Sequence, residues 1–266
     1  MTDVPGTGAD LMSDGLGFTS FGRGPVRVVV LHDWFCDRSS WDTVLPYLTP
    51  DRFSYLFADL RGYGASRDLQ GSFTLDEAAG DVLALADQLG WTRFSLIGHS
   101  MSGLIVQRIA QLAPDRIARI VAITPVPPGG LGLDDPALEF HRSLALADDE
   151  TRFSLLGALR GKRLSETWTR YKLRRWRETA SPAALVKYAE MWGCTDISPG
   201  AFGMQTQMLI IAAGQDAPPF REDALRSSML PFYPNAQLMS LDESGHYPMQ
   251  EQPPLLATVI ERFLAE

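Results

Sequence analysis

Short apolar runs rich in β-branched residues alternate with segments of helical period along most of this 266-residue chain. Each run is nearly continuous in apolarity, which is typical of strands that helices cover on both faces. The clearest runs are Val26–Leu31, Phe53–Ala58, Phe94–Gly98, Ile117–Thr124, Met208–Ala213 and Gln237–Leu241, and an earlier strand is expected near Leu16–Phe21. This alternation predicts an α/β fold with a mostly parallel central sheet flanked by helices.

The segment from Pro125 to Gly203 interrupts this rhythm, because it contains no strand-like run and begins with the helix-breaking sequence PVPPGG. Helices predicted inside it cover Leu138–Leu146, Thr151–Leu159, Ser165–Arg177 and Ser181–Met191, whereas those outside it cover Leu75–Leu89, Met101–Leu112 and Pro254–Leu264. We therefore expect a core domain made of residues 1–125 and 204–266, with residues 126–203 inserted as a helical cap over a pocket. The alternative is a helical surface elaboration without a role in the site.

Composition excludes several other classes of protein. The formal net charge of −8, without long blocks of one sign, disfavours nucleic acid as a partner, because its phosphates demand a basic face. The densest basic stretch, KLRRWR at 172–177, is interpreted as a solvated helix face. No apolar run approaches the roughly 20 residues of a spanning helix, so no membrane association is expected.

The N-terminal segment and the cysteine content both favour a reducing compartment. Residues 1–15 lack the pattern of a secretory signal and are expected to form a frayed tail. Cys36 and Cys194 lie far apart and in no metal or redox spacing. A cytoplasmic protein without a disulfide or a bound metal is therefore predicted.

The strongest local signal is Gly98-His-Ser100-Met-Ser102-Gly103, which follows an apolar strand and opens a helix. A serine at such a strained turn is typical of a nucleophile, and it needs small residues two places away on either side. Gly98 and Ser102 meet that need, although glycine is usual at the second position. Ser100 is therefore predicted to be the nucleophile, the competing interpretation being an N-cap serine.

A serine nucleophile needs a general base, and the base needs an orienting carboxylate. His246 follows the final strand in a glycine-led loop and lies after the serine, in the chain order that this turn requires, so it is favoured over His32, His99 and His141. Asp216 ends the Met208 strand and is the candidate acid. Asp196 and Asp242 remain alternatives, Asp242 being expected to solvate a strand end.

The oxyanion of an acyl-transfer intermediate needs two donors, and the amide after the nucleophile, that of Met101, supplies one. The loop after Leu31 is predicted to supply the other through the Trp34 amide. Phe35 and Cys36 of this loop, with Trp192 of the cap, are expected to contact the substrate. The anion at Asp33 would oppose catalysis here unless its side chain points away or is paired.

Several aromatic and sulfur-containing side chains of the cap are open to two interpretations. They could line an apolar pocket, or they could form the core of the cap itself, which is favoured for most of them. They are Trp168, Tyr171, Trp176, Tyr188, Met191 and Trp192.

Four motifs together resemble the α/β-hydrolase superfamily over nearly the whole chain. They are Leu31-His-Asp-Trp34, Asp59-Leu-Arg61-Gly62-Tyr-Gly64-Ala-Ser66, the Gly98 to Gly103 motif, and Gly245-His246-Tyr-Pro-Met-Gln-Glu. The second is interpreted as a structural turn. The chain departs from the family in having Asp33 where glycine is common, and in a shortened spacing from Gly214 to Asp216.

Within the superfamily the chain resembles small, cap-bearing esterases, enol-lactonases and C–C bond hydrolases. The resemblance implies cleavage of an ester or lactone of a small hydrophobic or aromatic substrate without a cofactor, and it leaves the oligomeric state open. The loop from His32 to Trp41 also resembles that of stress-signalling regulators and strigolactone receptors, which implies a slow ligand receptor as the alternative. Cofactor-free C–C bond cleavage is a further alternative. Cofactor-free dioxygenases of this fold use a histidine in the loop that here offers Trp34, Phe35 and Cys36, so dioxygenase activity is disfavoured.

Overall fold

The computed structural model describes residues 15–266, so the predicted tail lies, except for Gly15, outside the described residues. Their strands are β1 (Phe18–Gly22), β2 (Val26–Leu31), β3 (Phe53–Ala58), β4 (Phe94–His99), β5 (Ile117–Ile123), β6 (Gln207–Ala213) and β7 (Ala236–Leu241). They form one sheet in the order β1-β3-β2-β4-β5-β6-β7. All neighbours are parallel except β1 and β3. The predicted α/β fold is confirmed.

The helices of the described residues are α1 (Leu75–Gln88), α2 (Met101–Leu112), α3 (Asp135–Ala145), α4 (Asp149–Leu159), α5 (Glu166–Thr179), α6 (Pro182–Cys194), α7 (Ser198–Ala201), α8 (Glu222–Met229), α9 (Pro248–Glu251) and α10 (Pro253–Leu264). Helices α3 to α7 lie between β5 and β6. We call residues 126–203 the insertion.

The register of the strands brings their carboxyl ends to one edge of the sheet. Leu31 pairs with Ala58 on one side and with Gly98 on the other, and Gly98 pairs with Ala122. The loops that follow β2, β4, β5 and β6 therefore start close together, which is where a parallel sheet places its ligands.

Polar caps fix where three helices of the insertion begin. The side chains of Asp134, Asp148 and Ser181 accept hydrogen bonds from amides in the first turns of α3, α4 and α6. Such bonds satisfy amides that have no partner within the helix.

Helix α5 presents one face to the protein interior, contrary to the expectation that residues 172–177 are solvated. Thr169, Lys172, Trp176 and Thr179 are buried, and their spacing of three, four and three residues places them on one side of a helix. Basic side chains on the other side, such as Arg174, face water. The solvated-face interpretation is therefore wrong for Lys172 and Trp176.

No helix within residues 15–266 combines the length and the apolarity that crossing a bilayer requires.

Candidate active site

Ser100 occupies a strained turn between β4 and α2. Its φ of 56° and ψ of −115° lie outside the regions that most residues adopt. A Cβ atom on Gly98 would lie 2.4 Å from the Ser102 carbonyl oxygen, so this position admits no side chain. The Ser100 amide donates to the Ile123 carbonyl at 2.9 Å. The turn is thus held by the neighbouring strand β5.

Ser102, which stands where glycine is usual, has a role of its own. It is fully buried, and its hydroxyl donates to the backbone carbonyl of His32 at the end of β2. The hydroxyl therefore ties the turn at Ser100 to the loop that follows β2.

The structure brings Ser100, His246 and Asp216 together in a chain of hydrogen bonds. The Ser100 Oγ donates to His246 Nε2 at 2.9 Å, and His246 Nδ1 donates to Asp216 Oδ2 at 2.6 Å. All three side chains are buried. Their loops come from the carboxyl ends of β4, β7 and β6, which explains how residues far apart in sequence converge.

The two alternative carboxylates lie elsewhere. Asp242 accepts from the Ser240 hydroxyl at 2.5 Å, and Asp196 accepts from the Ser198 amide at 2.8 Å. Both are exposed, and each is engaged two residues away in its own loop. Neither is hydrogen-bonded to a histidine.

The environment of His246 favours its protonated form. Burial alone would lower the pKa of the imidazole, but the Asp216 carboxylate outweighs it and holds the pKa of His246 above its ordinary value of 6.5. The same bond fixes the tautomer, because Nδ1 carries the proton and leaves Nε2 to accept from Ser100. This is the arrangement of a general base beside a hydroxyl.

His99 is bonded to the backbone of His246. Its Nε2 donates to the backbone carbonyl of His246 at 2.7 Å. Burial and the neighbouring His246 lower the pKa of His99 to about 3, so its ring is neutral at ordinary pH. His99 therefore stabilises the loop that carries His246.

The loop after β2 is fixed through three consecutive backbone carbonyls. The His32 carbonyl accepts from Ser102 Oγ, and the Asp33 carbonyl accepts from His32 Nδ1 at 2.7 Å. The Trp34 carbonyl accepts from Tyr63 Oη at 2.8 Å. The His32 tautomer is set because its Nε2 accepts from the Leu60 amide. In a trans peptide the carbonyl and the next amide point in opposite directions, so fixing the Asp33 carbonyl also fixes the Trp34 amide.

Asp33 is fully buried yet ionised. Its Oδ2 accepts from Tyr247 Oη at 2.9 Å, and its Oδ1 lies 3.6 Å from Lys172 Nζ. Burial would raise the pKa of Asp33, but Lys172 and nearby histidines outweigh burial and hold it well below the ordinary value. The sequence predicted that an anion at Asp33 would oppose catalysis unless it is paired. In the structure Asp33 is paired with Lys172.

A cavity of about 330 Å³ opens beside Ser100 and His246. Its walls are mostly apolar and come from both the core and the insertion. They are formed by Trp34, Phe35, Met101, Val126, Leu131, Leu133, His141, Leu144, Leu155, Leu159, Trp192, Ala217, Pro219 and Phe220. Predicted site residues Trp34, Phe35, Met101 and Trp192 are all among them.

Cys36, predicted to contact the substrate, is not part of this cavity. Its Sγ lies 3.9 Å from the Lys172 carbonyl oxygen, behind the loop and against α5. Burial raises the pKa of its thiol to about 12, so it is a protonated thiol.

Two aromatic residues of the insertion pack against the core, whereas Tyr171 is exposed. Trp176 and Tyr188 are buried against Phe35 and Tyr63 of the core, outside the cavity. Trp192 alone of the six candidates lines the cavity, where its ring lies 5.4 Å from that of Trp34.

Sequence reasoning missed Lys172, Tyr247 and the cavity residues of α3 and α4. The stripe of Thr169, Lys172 and Trp176 at helical spacing was a usable signal for Lys172. Within residues 15–266, no group of three or more histidine, cysteine, aspartate and glutamate side chains is arranged to hold a metal ion.

Comparison with known proteins adds an independent line of evidence. The family described as "Alpha/beta hydrolase family" matches residues 28–259. A pimeloyl-[acyl-carrier protein] methyl ester esterase from Pectobacterium carotovorum is 32% identical over 106 residues, which are 40% of this chain and 39% of that protein. The match thus spans about two fifths of the length of this curated relative.

Solved structures match over nearly the whole chain. An esterase from Exiguobacterium antarcticum has a TM-score of 0.84 at 18% identity and covers 95% of this chain and 97% of its own. A bromoperoxidase from Bacillus anthracis has a TM-score of 0.81 at 21% identity and covers 94% of this chain and 96% of its own. At such identities these likenesses concern the fold.

Proposed function

We propose that this chain, which belongs to the alpha/beta hydrolase family, is a serine hydrolase that cleaves an ester or lactone of a small hydrophobic or aromatic substrate. The observation that carries the proposal is the hydrogen-bonded chain from Asp216 through His246 to Ser100, which opens onto an apolar cavity. The esterase named among its relatives supports an ester as the bond cleaved.

The proposed reaction begins when Ser100 Oγ attacks the substrate carbonyl and passes its proton to His246 Nε2. The amides of Trp34 and Met101 bind the oxyanion. His246 then gives the proton to the leaving oxygen, and an acyl group remains on Ser100. Water attacks this ester with His246 as base, which releases the acid and restores the hydroxyl.

The direct test is to follow p-nitrophenyl ester hydrolysis and to look for an acyl adduct on Ser100 by mass spectrometry of the intact protein and its peptides. Multiple turnover with an adduct on Ser100 is expected. A single slow turnover would instead favour the ligand receptor. Absence of both turnover and adduct across ester and lactone substrates would contradict the proposal.

The cavity supports a small, apolar substrate. Its volume of about 330 Å³ lies at the lower end of the about 300–1,000 Å³ usual for ligand pockets. Its polar side chains are Ser100, His246 and His141, while leucines, tryptophans and phenylalanines form much of the rest. We propose that the insertion acts as the cap of this cavity, since α3, α4 and α6 supply part of its wall.

Replacing Trp192 with alanine is expected to change substrate selectivity. The indole packs against the rings of Trp34 and His141 at the cavity wall, so its removal enlarges the space for the acyl or aryl group. We expect KM for short esters to rise several-fold and the preference to move toward bulkier ones. The measurement is kcat/KM across a series of aliphatic and aryl esters, together with thermal melting.

Trp168→Ala is the matched control, because Trp168 belongs to α5, lies outside the cavity and bonds Gln250. It should leave the substrate profile unchanged. If Trp192→Ala left the profile unchanged while the melting temperature fell strongly, Trp192 would be a packing residue of the insertion.

The raised pKa of His246 predicts the acidic limb of the pH profile. The base must be neutral to accept the Ser100 proton, and a raised pKa keeps it protonated to a higher pH. The kcat/KM should therefore fall as pH decreases, with a midpoint above 6.5, the ordinary histidine value. A midpoint below 6.5 for a non-ionising ester would contradict this assignment of the base.

A further inference from the structure

The proposed reaction leaves the buried Asp33–Lys172 pair without a role. Asp33 directly precedes Trp34, whose amide is the proposed oxyanion donor. Lys172 comes from α5 of the insertion, and both side chains are almost completely inaccessible to water, with 0% and 1% exposed. A buried ion pair of this kind often contributes little net stability, because desolvation offsets attraction.

The surroundings of Lys172 hold its ammonium group toward the carboxylate. Lys172 Nζ donates to Ser40 Oγ at 2.9 Å and lies 4.3 Å from the centre of the Tyr247 ring. Tyr247 also donates its hydroxyl to Asp33. Ser40 Oγ in turn donates to Asp33 Oδ1 at 3.5 Å. Ser40 and Tyr247 therefore contact both charged groups and hold the cation beside the anion.

The Asp33 carboxylate affects reactivity because it lies in the loop that is proposed to bind the oxyanion. Negative charge develops on the substrate oxygen when Ser100 attacks, and a nearby unpaired carboxylate would oppose it strongly in a water-poor site. The Asp33 carboxylate cannot move away freely, because its side chain is fully buried and bonded by Tyr247, and because its backbone is fixed on both sides by Ser102 and His32. Its charge has to be compensated where it lies.

We propose that Lys172 is a positioning residue that neutralises Asp33 and so keeps the oxyanion-binding loop free of net negative charge while α5 is docked. This inference rests on the proposed function of Ser100. It makes the reactivity of the core depend on a cation supplied by the insertion.

The titratable groups that face Asp33 define the test. Lys172 comes from α5 and His99 from the end of β4. His32 and Cys36 belong to the loop itself, Tyr63 to the segment after β3, and His246 and Tyr247 to the segment before α9. The charge on Asp33 raises the pKa of His246 and that on Lys172 lowers it, so the two effects oppose each other. His246 also faces Asp216, His99 and Glu251.

The experiment compares kcat/KM of Lys172→Met, Asp33→Asn and the double variant with that of the parent from about pH 5 to about pH 9. Without Lys172 the largest charge that opposes burial is gone, so the pKa of Asp33 should rise and the carboxyl should ionise only as pH increases. Activity of Lys172→Met relative to the parent should therefore fall with rising pH, by about tenfold or more. The double variant should stay within about threefold of the parent, without a pH trend.

Arg175→Met is the matched control. Arg175 also lies on α5 and pairs with a core residue, Asp37, at 2.8 Å, but Asp37 is three residues beyond Trp34. Loss of this pair should lower activity equally at every pH. A merely structural role for Lys172 would give the same flat result.

A constant ratio for Lys172→Met across pH, or a double variant no more active than Lys172→Met, would overturn the proposal. If Lys172→Met does not fold, the pH profile of Asp33→Asn tests the proposal instead. The unpaired Lys172 cation should then move the acidic limb of kcat/KM to lower pH, and an unmoved limb overturns the proposal. If the parent itself is inactive on esters and lactones, the proposed function fails. If the parent is active but the variants do not behave as expected, only the inference about Lys172 fails.

Discussion

Replacing Ser100 with alanine is expected to lower kcat for ester hydrolysis by about a thousandfold or more, because it removes the atom that bonds to the substrate. Alanine keeps a Cβ atom at the same positive φ, so the turn gains no new strain. The helix and strand beside it should therefore be unaffected. Circular dichroism and thermal melting should match those of the parent.

Ser95→Ala is the control for Ser100→Ala. Ser95 is a buried serine of β4, the strand that leads to Ser100, and it has no place in the proposed reaction. Its loss should leave kcat within a few-fold of the parent. If Ser100→Ala retained turnover within about tenfold of the parent, the nucleophile would lie elsewhere.

The second large effect is expected for Asp216→Asn, with kcat reduced by about a thousandfold to ten-thousandfold. The amide offers His246 Nδ1 either a neutral oxygen or an N–H group, and the latter favours the tautomer whose Nε2 carries a proton. Such an Nε2 cannot accept from Ser100. The pKa of His246 should also fall, because Asp216 contributes most to raising it, ahead of Asp33.

Asp242→Asn and Asp196→Asn are the matched controls, since each is an exposed carboxylate bonded within its own loop. Both should retain nearly full activity. All three variants are measured in parallel on one ester over a range of pH. If either control variant lost most of its activity while Asp216→Asn lost little, the orienting carboxylate would be the residue changed in that control.

The fold was predictable because its signal is local. Each sheet strand is a run that repeats the same apolar pattern, and the predicted ends fall within three residues of the observed ones. The helix Glu222–Met229 escaped prediction because it is short and follows a proline-rich turn. Ser100, His246 and Asp216 were predictable because the turn and the chain order constrain them independently of distant contacts.

The rest of the site depends on contacts between distant segments. Nothing near Asp33 in sequence indicates Lys172, which lies 139 positions later and reaches it only when α5 packs on the core. Cys36 adjoins Phe35, yet only Phe35 lines the cavity. Basic neighbours made residues 172–177 look solvated, although the burial of Lys172 is decided by the helical face on which it lies.

The packing of the insertion has a consequence for how molecules enter and leave. Helix α6 buries seven residues, α5 four and α3 three, whereas α4 buries Leu156 alone. Local opening is least costly where the fewest residues are buried, so substrate and product should pass beneath α4. The carbonyl of Leu159, at the end of α4, accepts from the His246 amide at 3.0 Å. Each opening would then displace the loop that carries His246. The rate of product release and the rate at which His246 returns to its position beside Ser100 would therefore be coupled.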